Sequence, residues 1–179
     1  RATHLQQEMF HVSSKLTTLS VQLCYFRGFN EFRASRWLTD SAALTQLMGT
    51  VRCEGGHTQI IRLLRHAQEE HRKTAMRALV FIGDAVEEAP DSLCDLAGQC
   101  GIKQLPLFLF QEGGDQNVEQ TFRTMAKLSG GAYARFDTSS AQTLAALLGA
   151  VASFATGGHA ALKMRDDDSA KLLLQQLKN

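Results

Sequence analysis

Charge of one sign is nearly missing from this sequence: 19 lysines and arginines stand against 18 aspartates and glutamates, a formal net charge of +1. So close a balance gives no global field to steer the protein toward nucleic acid or an anionic membrane, and neither is expected as a partner. The basic residues are also interleaved with acids. Arg62, Arg65, Arg72 and Lys73 share a helix-like stretch with Glu69 and Glu70, which reads as a solvated face. The four cysteines, Cys24, Cys53, Cys94 and Cys100, form no CxxC pair and no Cys/His cluster at zinc-ligand spacing. They are expected as free, mostly buried thiols in a reducing cytoplasm. No apolar run approaches the ~18–20 residues of a membrane span, and no signal-peptide pattern occurs. The G-x-S-x-G elbow, the P-loop and G-x-G-x-x-G are missing, as are internal repeats and low-complexity linkers.

What is present is ordinary globular material. The chain has 179 residues, 44% hydrophobic and 21% charged, enough for one domain with a sizeable core and no need of disulfides. Apolar Leu5, Met9, Val12 and Leu16 predict a helix over Ala2–Leu16. Leu19–Phe26 predicts a strand, Arg27-Gly28-Phe29-Asn30 a turn, and Glu31–Leu38 an antiparallel partner. Tyr25, Phe26, Phe29, Phe32 and Trp37 cluster around that hairpin, as packing residues first and a partner-binding surface second. Asp40 caps a short helix over Ser41–Met48. A glycine loop, Cys53-Glu54-Gly55-Gly56-His57, leads to a helix over Thr58–Arg72 with an apolar face of Ile60, Ile61, Leu63, Leu64 and Ala67.

The run Ala78–Ile82 is continuously apolar, as suits a central parallel strand covered on both faces. Pro90 opens a helix over Ser92–Cys100, Leu105–Phe110 is a strand, and Val118–Leu128 is a helix ended by Gly130-Gly131. Ala132–Phe136 is a strand, and Ser139–Phe154 is a helix closed by Gly157-Gly158. The run Asp166-Asp167-Asp168 reads as a solvated turn capping the last helix, Ser169–Leu177. These elements predict an α/β protein: a three-layer, Rossmann-like arrangement, with a mostly parallel central sheet, one antiparallel edge strand and helices on both faces. The domain is expected over residues 1–157, with a helical tail over 158–179.

In such sheets ligands sit beyond the carboxyl ends of the strands, so the loops Gly55–Thr58 and Gly83–Glu88 are where function is sought. Asp84 ends the strongest strand, and Glu87 and Glu88 add acidity nearby. A carboxylate, a hydroxyl from another loop and water make a hard oxygen site, which suits Mg²⁺ better than zinc. His57 is a loop histidine with no nucleophile beside it. His66 and His71 lie five apart on a helix and do not form a metal pair.

The order of helix, hairpin, short helix, Gly-Gly-His-Thr loop, helix, and strand ending in Asp resembles the von Willebrand factor A (VWA) domain. That family holds its ion in a metal-ion-dependent adhesion site built from three loops. A D-x-S-x-S stretch follows the first strand, a Thr lies in the loop before the third main helix, and an Asp ends the fourth strand. Gly55-Gly56-His57-Thr58 matches the Thr loop and Phe81-Ile82-Gly83-Asp84 the Asp strand, which implies Thr58 and Asp84 as metal ligands for Mg²⁺. The chain contains no D-x-S-x-S. The resemblance implies an intracellular bacterial protein-binding module rather than an enzyme. Its partner offers a carboxylate to the ion, and an AAA-type ATPase is the partner class often encoded beside such proteins.

The family's first strand would sit between Leu19–Phe26 and Ala78–Ile82. A gap there leaves backbone groups unpaired at about 1–3 kcal/mol each, so something is expected to fill it: a further N-terminal segment, a swapped strand, or a rearranged sheet. Two other readings stand beside the binding module. One is a Mg²⁺-dependent phosphatase of the haloacid dehalogenase type, which has a Gly-Asp after a strand as Gly83-Asp84 does. It also needs a D-x-D nucleophile, and the only D-x-D here is Asp166–Asp168. The other is a structural domain whose metal site does not function.

Overall fold

The computed structural model describes residues 19–51, 57–137 and 139–177. The helix expected over Ala2–Leu16 and most of the glycine loop, Cys53 included, lie outside them. The order is β1 (Cys24–Arg27), β2 (Glu31–Ala34), α1 (Ser41–Thr50), α2 (Ile60–Lys73), β3 (Leu79–Gly83), α3 (Pro90–Ile102), β4 (Leu107–Glu112), α4 (Gln116–Ser129), β5 (Ala132–Phe136), α5 (Ala141–Lys163) and α6 (Asp168–Leu174). The protein is α/β, with strands β3, β4 and β5 in a parallel sheet in that order.

Alternation along the strands divides the core into two layers. Leu79 and Phe81, Leu107 and Leu109, and Tyr133 point to one face, where α2, α3 and α4 bring Leu64, Leu93 and Phe122. Phe108, Phe110, Ala132, Ala134 and Phe136 point to the other, where α5 and α6 bring Leu144, Leu147, Leu162 and Leu173. β4 is buried from Leu107 to Gln111. Each large apolar side chain removed from water there contributes about 1.5–3 kcal/mol, so this strand is the centre of the fold.

Local signals set the element ends. Asp40 accepts from the amides of Ala42 and Ala43 to start α1, and Asp115 does the same for α4 from Asn117 and Val118. Pro90 occupies the first turn of α3. Gly130 takes the left-handed conformation at φ 75° to end α4. A Cβ on the next residue, Gly131, would run into the backbone of Leu107.

The structure departs from the sequence expectations in several places. The strand expected over Leu19–Phe26 is regular only from Cys24, because the Ser35 hydroxyl enters the ladder and accepts from the Leu23 amide at 3.0 Å. The hairpin resumes at the Val21–Leu38 bridge. The antiparallel strand does not border the parallel sheet: among the described residues β1 pairs only with β2, and no strand stands between β1 and β3. Those two strands do not pair with each other either. They meet through side chains, with the Phe26 and Phe81 rings stacked at 6.2 Å.

Helix α5 spans two helical stretches that meet at Gly157-Gly158. The helical path is broken there, as the two glycines predict, at Gly158 (φ 64°, ψ −154°), and a further helical stretch runs on to Lys163 with Leu162 buried in the core. Counted across that break, Ala141–Lys163 is long and apolar enough to cross a membrane by length and composition alone, a test that the core helix of a folded domain also passes. Here its Leu144, Leu147, Ala150 and Val151 lie buried. The helical tail packs on this core through Ala170, Leu173 and Leu177. Asp167 caps α6 from the Ala170 amide and pairs with Arg165, while Asp166 pairs with Lys171.

Candidate functional site at the carboxyl rim of the sheet

Strand β3 closes at Gly83, where a Cβ would meet the ring of Phe81 at 2.8 Å. The chain then leaves the sheet and exposes Asp84. The following loop is tied to the start of α2. Four amides at a helix start lack partners within the helix, and Gln59, ahead of α2, offers no side-chain cap. Glu88 supplies one from the other loop, accepting from the amides of Ile60 at 2.9 Å and Ile61 at 2.7 Å. A carboxylate is favoured there by the helix dipole as well.

Glu87 makes the second tie. Its carboxylate accepts from the Thr58 amide at 2.6 Å and lies 3.2 Å from Nδ1 of His57. Its own amide donates to Oγ1 of Thr58 at 3.1 Å. Thr58 therefore does not cap α2, the ordinary role for a threonine ahead of a helix. Its hydroxyl is held by the post-β3 loop and keeps a second lone pair.

The rim continues along the other strands. Asp84, Glu112, Gly113, Arg135, Phe136 and Asp137 line a cleft of about 250 Å³. Gly113 takes φ +84°, and the Arg135 guanidinium lies over Gly114, where a Cβ would come within 2.7 Å of Nη2. Below the cleft the fully buried Gln111 accepts from the Tyr133 hydroxyl at 2.7 Å and donates to the Asp115 carbonyl at 2.9 Å. A buried amide satisfied on both sides fixes the loop above it.

The tip of the β1–β2 hairpin reaches the same rim. The His57 amide donates to the Gly28 carbonyl at 3.1 Å, and the Phe29 and His57 rings lie 5.2 Å apart. Arg62 of α2 donates to the Asn30 carbonyl at 3.1 Å. Glu31 holds Arg27 at 2.6 Å and Arg33 at 3.0 Å, and hydrogen bonds from those guanidinium groups lower its carboxyl from 4.5 to about 2.

Of the residues expected to matter, Thr58 and Asp84 thus stand on one rim, Thr58 bonded to the residue three places after Asp84. Among the described residues no three of His, Cys, Asp and Glu converge as a metal-holding group. His66 and His71 turn to different partners: His66 to Gln22 and the Phe32 ring, His71 to the Lys103 carbonyl and the Met76 amide. Cys24, Cys94 and Cys100 are free thiols. Burial, and behind it the charge of Glu70, raises Cys24 to about 11, and its side chain packs against the core. The D-x-D of Asp166 and Asp168 lies at the start of α6, not after a strand.

In the sequence Glu87 and Glu88 stand out only as added acidity. Their role as ties had a faint signal in the poor capping residue at Gln59. The cleft residues Glu112, Arg135 and Asp137 had none, because the strands that carry them are brought together only by the sheet register. No family model matches the chain, and no curated protein matches it.

Proposed function

We propose that the protein is a VWA-type binding module. A divalent ion, Mg²⁺, sits at the carboxyl rim on oxygens from Asp84 and Thr58, and a carboxylate of a partner protein completes its shell. The observation that carries this reading is the double tie between the two loops: Glu87 on Thr58 and Glu88 on Ile60 and Ile61. These bonds hold the Thr58 hydroxyl on the same rim as the exposed Asp84.

The donor set is hard oxygen, which matches the ion's preference. Two protein oxygens are fewer than the roughly six that Mg²⁺ takes, so waters and the partner carboxylate would supply others. A site left open in this way makes binding depend on both ion and partner. An AAA-type ATPase is the partner class that the family resemblance suggests, and a cytoplasmic setting fits the free thiols.

Calorimetric titration of Mn²⁺ or Mg²⁺ into the protein and into Asp84→Ala tests the reading. The expected result is a binding heat in the parent protein and about tenfold or greater weakening in the variant, the cost of removing a charged ligand. Equal heats in both proteins, or none in either, reject it.

A further inference from the structure

We propose that Phe29 is a preorganised anchor for the partner: its ring enters an apolar pocket on the protein whose carboxylate reaches the ion at Asp84 and Thr58. The inference rests on the binding-module reading and adds to it a second point of contact and a chemistry for the partner, an acidic side chain beside an apolar hollow.

Phe29 is 80% exposed at the hairpin tip. A single exposed apolar side chain is common and means little by itself. The other large exposed ones, Ile102, Leu128, Met164 and Leu172, lie on or just after helices. Phe29 differs in both place and rigidity. It stands on the rim, because its neighbour Gly28 is bonded to His57 and its ring rests on the His57 ring. His57 adjoins Thr58 and faces the same Glu87 carboxylate that fixes Thr58.

The tip is braced on each side of the ring. Arg27 and Glu31 close it with a two-point ion pair at 2.6 and 3.2 Å. Arg62 reaches up from α2 to the Asn30 carbonyl and to its side-chain oxygen at 3.3 Å. Gln59 donates to the Glu31 carbonyl at 3.2 Å. Gly28 turns the chain at φ +57°, a conformation that costs a glycine little. A turn braced in this way has already lost backbone freedom that binding would otherwise remove. Aromatic residues placed this way dominate interface energies, because they bury a large area with few rotatable bonds.

The test uses the full chain as bait for a displayed library of random peptides, selected with Mg²⁺ present. Selected peptides are then measured on the parent protein, Phe29→Ala, Phe29→Tyr and Met164→Ala, each with and without chelator. The expected peptides carry an acidic residue beside apolar ones and lose about 30-fold in affinity on Phe29→Ala, as at an interface hot spot. They lose less on Phe29→Tyr, which keeps the ring but brings a hydroxyl into the apolar pocket, and keep their affinity on Met164→Ala. The Mn²⁺ binding heat should be the same in Phe29→Ala as in the parent protein. Equal binding to Phe29→Ala, or no peptide enriched at all, overturns the anchor. Binding that needs Phe29 but survives the chelator keeps the anchor and rejects the ion reading.

Discussion

The two edges of the parallel sheet are finished by different means. At the β5 edge a side chain imitates a strand: Gln176 accepts from the Tyr133 amide at 2.9 Å and donates to the Tyr133 carbonyl at 2.8 Å. Leu173 and Leu177 bury themselves on the sheet beside it. At the β3 edge, among the described residues, side chains meet without a ladder. Phe26 stacks on Phe81, and the half-buried Cys24, Phe26 and Phe32 pack on the core that holds Leu79 and Phe81. Faces and edges are thus separate problems. Helices and a hairpin can dry the face of a strand, but its edge needs polar groups, from a strand, a side chain or water, to bond its N–H and C=O.

The sharpest way to break this comparison is to remove the anchor of the β5 guard. Leu173 is fully buried, so Leu173→Ala should cost about 2–5 kcal/mol in urea unfolding. A loss under about 1 kcal/mol would mean that the tail folds apart from the sheet.

Gln176→Ala leaves Leu173 in place and removes only the imitation strand. The expected cost is about 1–3 kcal/mol for the two backbone groups left unpaired, with faster hydrogen exchange confined to the Tyr133 region. Unchanged exchange at Tyr133 would show that the edge needs no guard.

The smallest effect belongs to the other edge. A double-mutant cycle of Phe26→Leu and Phe81→Leu should give a coupling of about 0.5–1.5 kcal/mol, the range for a stacked aromatic pair. Zero coupling would mean that the hairpin holds its place through α2 alone, by Trp37 on Glu70 at 3.0 Å and Gln22 against His66 at 2.9 Å.

Much of the fold could be read from the chain because its signals are local. Ala78–Ile82 announces a buried strand by composition, and Pro90, Asp40 and Gly130 mark helix ends by chemistry that acts within one turn. Local signs mislead where a distant residue overrides them. Ser35 looks like an ordinary residue of an alternating strand, yet its hydroxyl takes the place of a backbone acceptor for Leu23. At the rim, Thr58 and Asp84 could be named from their loops. The ties from Glu87 and Glu88 could not, since they cross 27 to 29 positions of sequence.

By itself the sequence determined the kinds of element, most of their ends and which faces turn inward, because helix and strand periods and caps depend on neighbours within a few residues. Only the tertiary structure decided how each sheet edge is met, that Ala170, Leu173 and Leu177 join the main core, and which loops stand together at the rim. Those outcomes depend on contacts between residues far apart in the chain, and a linear pattern does not say which distant groups will meet.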